Sequence, residues 1–183
     1  RGCACKFVMK VSNEKPRRLN SLRLKGYDYS QPGAYFVTTV THQKASLFGK
    51  ALNDKMQLND IGKIVKAVWN KLPEHYPNIE LGTFVIMPNH MHGIIIINDI
   101  VGAGLRPAPT QKKQHGLSEI MRAFKSFSSR EIHKADEFSP ERIWQRGFHD
   151  RIIRNEDEWR KIHLYIEANP INWEDDDENP EKI

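Results

Sequence analysis

The chain places two apolar, strand-favouring segments on either side of a Pro-Asn corner, and this pattern constrains its fold more than any other stretch. The segments "IELGTFVIM" and "HMHGIIII" are rich in β-branched and aromatic residues, and Pro88-Asn89 between them favours a turn. We therefore predict an antiparallel hairpin with an apolar face that packs on helices. His90 and His92 interrupt this apolar pattern at the start of the second segment, and their position needs an explanation.

Apolar periodicities in the rest of the chain predict elements in the order β-α-β-β-α-β-α. The first strand is "AYFVTTVTH", and the first helix follows a predicted cap at Asp60 and ends at Pro73. After a loop over residues 102–116 come a second helix, the short strand "FHDRII", and a last helix that runs from its cap Asn155 to Asn169-Pro170. This order is the ferredoxin-like βαββαβ topology, an α+β fold with an antiparallel sheet, extended by a C-terminal helix. The first and third strands are central in that topology, so the strand with the two histidines is predicted to be interior.

The length of 183 residues and the hydrophobic content of 39% suffice for one domain with a single core. We predict a basic, flexible arm over residues 1–22, one domain over residues 23–173, and an acidic, disordered tail over residues 174–183. No run approaches the roughly 18 apolar residues that span a bilayer, and the N-terminal residues lack the apolar stretch of a secretory leader. The spacing of Cys3 and Cys5 suits neither an ordinary disulfide framework nor a zinc knuckle. We therefore expect a soluble, cytoplasmic protein.

The charge of the chain is divided unevenly between its body and its tail. The net charge is +5, but residues 174–183 carry −5, so residues 1–173 carry +10. A body this basic favours a polyanion such as nucleic acid, because cationic side chains neutralise phosphates and release counterions. The alternative is that the charge serves solubility alone. A further hypothesis is that the acidic tail folds back over the basic surface and competes with nucleic acid.

The two histidines point to the same face of their strand, since side chains alternate across a strand. Two adjacent imidazoles form half of a metal site, although hydrogen-bonded histidines at a strand end are the alternative. A third ligand is required, and the last helix offers candidates in Tyr165 and Asn169, four residues apart on its edge. The alternatives are that Tyr165 bridges core and solvent, and that Asn169 is a helix C-cap.

Five blocks in a fixed order carry a resemblance to a known family. They are "RLKGYDYSQPGAYFVTTVTH", "VIMPNHMHGIIII", "FKSFSSREI", "IWQRGFHDRIIRNEDE" and "YIEANPINW". Over about residues 23–173 the chain resembles the REP-associated tyrosine transposases, a branch of the single-tyrosine HUH transposases. In the HUH motif, H is histidine and U is an apolar residue.

The resemblance implies a site and a reaction. His90 and His92 would be the HUH metal ligands, Asn169 the third ligand and Tyr165 the nucleophile, with Mg²⁺ or Mn²⁺ as the cofactor. The implied substrate is a single-stranded palindrome folded as a hairpin, and the intermediate is a 5′-phosphotyrosyl link that allows strand transfer. Phe148 departs from the family, whose members commonly have tyrosine at that position. The alternatives are a domesticated hairpin-binding protein without chemistry and a replication-initiator HUH nuclease.

The resemblance also bears on location and assembly. It implies a bacterial protein of the cytoplasm that associates with the nucleoid. Insertion-sequence relatives form homodimers that exchange the tyrosine helix, so both a monomer and a homodimer are open.

Phosphate contacts are predicted for basic side chains of the N-terminal arm and of the helix after the loop, although each of them alone could be a solvated surface charge. Tyr27, Tyr29 and Tyr35 are candidates for stacking on unpaired bases, with burial in the core as the alternative. The predicted phosphate-binding residues are Arg17, Arg18, Arg23, Lys25, Arg122, Lys125 and Arg130.

Overall fold

The computed structural model describes residues 27–99, 115–180 and 182. The predicted arm with Arg17, Arg18, Arg23 and Lys25 lies outside these residues, as do both cysteines and most of the loop over residues 102–116. Within the described residues there are six strands and four α-helices. Their bounds are β1 Gly33–Val40, β2 Gly49–Leu52, β3 Lys55–Leu58, α1 Asp60–Asn70, α2 Leu72–His75, β4 Ile79–Ile86, β5 His90–Ile97, α3 Leu117–Ala135, β6 His149–Ile153 and α4 Glu156–Ala168.

Four antiparallel strands form the main sheet in the order β4-β5-β1-β6. With the small β2-β3 hairpin set aside, this is the ferredoxin-like order, in which the first and third strands are central. The predicted α+β fold class is therefore confirmed, and the strand that carries the histidines is interior. The β2-β3 hairpin and the one-turn helix α2 were not predicted.

The two faces of the main sheet cover two separate apolar clusters. Met91 and Ile95 of β5 point to the larger core, which is filled by apolar side chains of α1 and α3 such as Trp69 and Phe124. Ile94 points to the opposite face, where a smaller cluster is formed with α4. Because side chains alternate along a strand, His90 and His92 also face the side on which α4 packs.

Gly93 lets α1 approach the sheet directly behind the histidines. A Cβ atom at this position would lie 2.6 Å from Trp69 Cζ2 and 3.2 Å from Phe84 Cβ. The indole of Trp69 thus occupies the space that a side chain at position 93 would need, and β5 is held tightly against the larger core.

Helix ends largely follow the predicted capping signals. Asn155 accepts a hydrogen bond from the Glu158 amide at 2.8 Å and starts α4, as predicted, and α4 ends before Asn169. The prediction that Asp60 caps α1 is wrong by one residue: Asn59 is the cap and accepts from the Gly62 amide at 2.9 Å. Among the described residues, no helix has the length and apolar character to cross a membrane.

The C-terminal segment, residues 173–180, packs against the start of β5. Asn89 Nδ2 donates to the Glu178 carbonyl at 2.5 Å, and Lys44 Nζ donates to the Asp177 carbonyl at 2.9 Å. Lys44 also pairs with the Glu178 carboxylate at 3.1 Å. This ordered packing differs from the disorder that the acidic composition predicts, because one lysine and one buried amide anchor the segment to the domain.

Candidate metal and tyrosine site

The histidine pair lies at the start of β5, on the face of the sheet covered by α4. Both imidazoles are buried, and their ring centroids are 4.6 Å apart. Phe36 of the neighbouring strand β1 stacks on the His92 ring at 5.4 Å. Two imidazoles held side by side in an apolar wall are suited to share one cation.

Hydrogen bonds orient the two imidazoles. His92 Nδ1 lies 2.7 Å from Thr38 Oγ1, and His90 Nδ1 lies 2.9 Å from Asn89 Oδ1. The amide nitrogen of Asn89 donates to the carbonyls of Lys44 and Glu178, so Asn89 Oδ1 is the acceptor for His90. In the neutral ring, His90 therefore donates from Nδ1 and carries its lone pair on Nε2, which is the tautomer that a metal ligand needs.

Tyr165 reaches the pair from α4. Its hydroxyl lies 3.3 Å from His92 Nε2, and its ring packs edge-on against His92 and Phe36. Burial first, and then the nearby Asp176 carboxylate, raise the pKa of Tyr165 to about 12, while the Asn169 side chain acts in the opposite direction. The phenol is therefore protonated at neutral pH, and its use as a nucleophile requires a neighbouring positive charge or a base.

Asn169 follows Tyr165 by one helical turn and is 2% exposed. Its side chain lies close enough to the Tyr165 hydroxyl to lower the pKa of that phenol, whereas its Oδ1 atom is buried without a hydrogen-bond partner among the described residues. Buried polar atoms are normally satisfied, so an orphan amide oxygen one helical turn from Tyr165 points to a missing electropositive partner.

Asp176 completes a cluster that the sequence did not predict. It is 5% exposed, and its carboxylate lies within 4.8 Å of ligand nitrogens of both His90 and His92. A buried His-His-Asp cluster of this spacing is suited to hold a metal ion. Sequence reasoning missed Asp176 because it assigned residues 174–183 to a disordered tail. Trp173, whose ring lies 6.0 Å from that of His90, was the available signal that this segment packs.

The predicted phosphate-binding residues of α3 lie away from this cluster, since α3 packs on the opposite face of the sheet. Arg122 and Arg130 are exposed there, and the Arg130 guanidinium lies 5.0 Å from the Phe127 ring centre. Lys125 differs from the prediction of a surface cation. It donates to the carbonyls of Gln145 and Gly147, and burial lowers its pKa to about 8.

The remaining aromatic candidates belong to the larger core. Tyr35 is fully buried, and Tyr29 packs between it and Tyr27. Burial against the core therefore fits the structure of these tyrosines better than stacking on bases does. Phe148, at the position where family members commonly have tyrosine, also packs against this core.

The amino-acid sequence of the chain is similar to that of a known protein. No protein-family model matches the sequence. An uncharacterized protein of Haemophilus influenzae is 42% identical over 164 residues, which cover 85% of this chain and 90% of that protein. The chain belongs to the family of this protein.

Among solved structures, the chain is similar to a REP-associated tyrosine transposase bound to a REP hairpin. The TM-score is 0.57 and the identity 20%, over 80% of this chain and 72% of that one. The comparison confirms, at the level of the fold, the resemblance read from the sequence blocks.

Proposed function

We propose that this protein is a metal-dependent, single-stranded DNA endonuclease and strand transferase that uses Tyr165 as its nucleophile. The observation that carries the proposal is the 3.3 Å contact between the Tyr165 hydroxyl and Nε2 of the buried His92, one member of the histidine pair. The chain shares its fold with a transposase solved in complex with a REP hairpin, and this supports a hairpin-forming single strand as the substrate.

The residues of the site fit a divalent cation. His90, His92 and Asn169 would hold Mg²⁺ or Mn²⁺: the amide oxygen is the hard donor that both ions prefer, and the two imidazoles add nitrogen donors that suit a transition metal such as Mn²⁺ better than Mg²⁺. The orphan Asn169 Oδ1 atom is the structural observation that supports this set. When bound, the cation would supply positive charge at the scissile phosphate.

Tyr165 would perform the covalent step. Its phenol oxygen attacks the scissile phosphorus and loses its proton, the bond from phosphorus to the 3′ oxygen breaks, and that oxygen gains a proton. The products are a 5′-phosphotyrosyl link and a free 3′-OH. Because one phosphodiester is exchanged for another, a second DNA end reverses the step and completes strand transfer without ATP. The ring of Phe36 packs against both His92 and Tyr165 and keeps the imidazole and the phenol aligned.

A single chain brings Tyr165 and His92 together, which supports attack by the tyrosine of the same chain on a phosphate held at that pair. A homodimer is not required for this contact. Phosphate binding by Arg17, Arg18, Arg23, Lys25, Arg122 and Arg130 stays a prediction, whereas Lys125 is proposed to be structural.

The experiment is adduct formation. The protein is incubated with labelled single-stranded palindromes and Mn²⁺ or Mg²⁺, and covalent protein–DNA species are resolved on a denaturing gel. We expect an adduct with the unaltered chain, none with Tyr165→Phe, and an undiminished adduct with the control Tyr27→Phe, whose partly buried ring packs against the larger core on the other face of the sheet.

The absence of an adduct and of nicking with every palindromic strand and either metal would contradict the proposal. Hairpin binding without any adduct would instead favour a binding protein that lacks the chemistry.

A further inference from the structure

The C-terminal segment brings a carboxylate into the site that the reaction itself does not require. We propose that Asp176 is a metal ligand of the DNA-free protein and that the scissile phosphate replaces it when DNA binds. The exchange rests on the proposed function, whereas the ligand role of Asp176 stands on the geometry of the cluster.

The position of Asp176 suits a ligand. The ligand atoms of His90, His92 and Asp176 all lie within 4.8 Å of one another, and all three residues are buried. Neighbouring donors of a tetrahedral site are separated by about 3.4 Å when each bond is about 2.1 Å. The 4.8 Å limit is the upper bound of the separations, so each of the three donors needs to move by less than about 1 Å to close around one cation.

The orientation of the Asp176 carboxylate is fixed by its own segment. Its Oδ1 atom accepts from the Glu178 amide at 2.7 Å. A hydrogen bond of this kind aims a carboxylate in the way that outer-shell partners aim metal ligands.

Asn89 links the C-terminal segment to the histidine pair. Its Oδ1 atom binds His90 Nδ1, while its Nδ2 atom donates to the Glu178 carbonyl. The same amide thus positions one imidazole and the segment that carries the carboxylate. Lys44 holds the outer side of the segment through the Asp177 carbonyl and the Glu178 carboxylate.

For electrostatic reasons the metal site favours either the Asp176 carboxylate or a DNA phosphate, and not both at once. Both are anions, and like charges a few ångströms apart in a buried site repel each other strongly. Asp176 is buried beside the histidine pair, which is where the proposed function places the scissile phosphate. The exchange replaces one anionic oxygen ligand by another, so no bond of the DNA changes in this step.

Displacement of Asp176 by DNA would also affect which substrates the protein accepts. A DNA strand must supply enough binding energy to displace Asp176 together with the buried Glu178. A hairpin with additional contacts outside the site meets this requirement more readily than a short unpaired strand. The C-terminal segment therefore restrains the nuclease until the correct substrate is bound.

The first test measures metal binding without DNA. Mn²⁺ affinity is determined by electron paramagnetic resonance for the full chain, for Asp176→Asn, and for the control Asp175→Asn, which changes an exposed neighbour. Since loss of an outer-shell partner alone weakens metal binding about 10–100-fold, we expect Asp176→Asn to weaken it by at least about tenfold. The control should bind Mn²⁺ as the unaltered chain does.

Asparagine retains the oxygen that accepts from the Glu178 amide, and circular dichroism checks that the fold is kept. Equal affinities for all three proteins would overturn the ligand role of Asp176.

The second test measures hairpin affinity at saturating Mn²⁺ in the Tyr165→Phe background, in which no adduct forms. Exchange predicts that Asp176→Asn binds the hairpin several-fold more tightly, because the competing anion has been removed. Equal or weaker hairpin binding would show that Asp176 and DNA do not compete, and would overturn the exchange. If the chain with Tyr165 intact forms no adduct, the proposed function fails, whereas the Mn²⁺ affinities still decide the role of Asp176.

Discussion

Thr38 and His92 lie directly opposite one another on β1 and β5, and the threonine hydroxyl is 2.7 Å from His92 Nδ1. The other ring nitrogen of His92 faces the Tyr165 hydroxyl. Thr38 therefore orients the imidazole from the side of the sheet, while Nε2 is directed towards the candidate site. An apparently ordinary strand threonine thus belongs to the support of the site.

Replacing Thr38 with valine should weaken metal binding without unfolding the protein. Valine has nearly the same shape but lacks the hydroxyl that holds His92, and loss of such a partner weakens metal affinity by about 10–100-fold. Titration with Mn²⁺, followed by calorimetry, measures the change. Unaltered affinity would show that the ring is oriented by its packing against Phe36 alone.

The neighbouring residue Thr39 provides a matched control. It points to the opposite face of the sheet, and its hydroxyl is buried without a hydrogen-bond partner among the described residues. Thr39→Val should leave Mn²⁺ affinity unchanged and should raise the free energy of unfolding by up to about 1 kcal/mol, because it removes an unsatisfied polar group. Thermal and chemical denaturation measure that change.

Gly93→Ala should destabilise the domain. The added methyl group would lie 2.6 Å from Trp69 Cζ2, and relieving this overlap should cost about 1–3 kcal/mol. The melting temperature should fall accordingly. At Gly116 an added Cβ has its nearest contact at 3.4 Å, so Gly116→Ala should change stability by less than about 1 kcal/mol. Equal melting temperatures for the two variants would contradict the close packing of α1 on β5.

Lys125→Met should lower stability rather than remove a DNA contact. The change leaves the carbonyls of Gln145 and Gly147 without their shared donor, at a cost of about 1–3 kcal/mol. The exposed Arg122 on the same helix serves as the control, because Arg122→Met should leave the melting temperature nearly unchanged. If Lys125→Met instead weakens hairpin binding at constant stability, the side chain is a phosphate contact after all.

Glu158 should stabilise the start of α4 in a pH-dependent manner. Hydrogen bonds from the Arg154 amide at 2.9 Å and from the Arg151 guanidinium hold the pKa of this carboxyl below its usual value of 4.5. A carboxyl with a depressed pKa in the folded state contributes stability above its unfolded pKa, and this contribution is lost as the pH falls through the folded pKa.

Glu158→Gln should therefore lower the free energy of unfolding by about 1–2 kcal/mol at pH 7. The difference from the unaltered chain should shrink below about pH 4.5. Urea denaturation over a range of pH measures it, and the exposed first-turn Glu156→Gln is the control. A difference that persists at pH 3 would show that the charge of Glu158 is not the cause.

Local patterns were sufficient to predict most of the main sheet. The hairpin around Pro88-Asn89, the cap at Asn155 and the order of elements depend on residues close in the sequence. The β2-β3 hairpin was missed because each strand has only four residues. A signal for it was present, since its turn residues Asn53 and Asp54 both adopt positive φ, which Asn and Asp tolerate in tight hairpin turns.

The features that were not predicted depend on contacts between distant parts of the chain. Asp176 is buried because its segment is anchored by Asn89 and Lys44, which lie far from it in the sequence. Lys125 is held by carbonyls about 20 residues further along the chain. Composition describes the average preference of a segment for solvent, and it carries no information on such long-range partners.

The alternation of side chains along β5 has a genetic consequence. Four successive residues, His90 to Gly93, point in turn to the candidate site and to the larger core. In a library that varies each of them and scores protein abundance and DNA nicking separately, defects at positions 91 and 93 should reduce both scores. Defects at positions 90 and 92 should reduce nicking alone. A single-residue deletion between Asn89 and Gly93 would turn side chains that face the candidate site towards the larger core, and the reverse. This strand should therefore tolerate substitutions far better than any change of length.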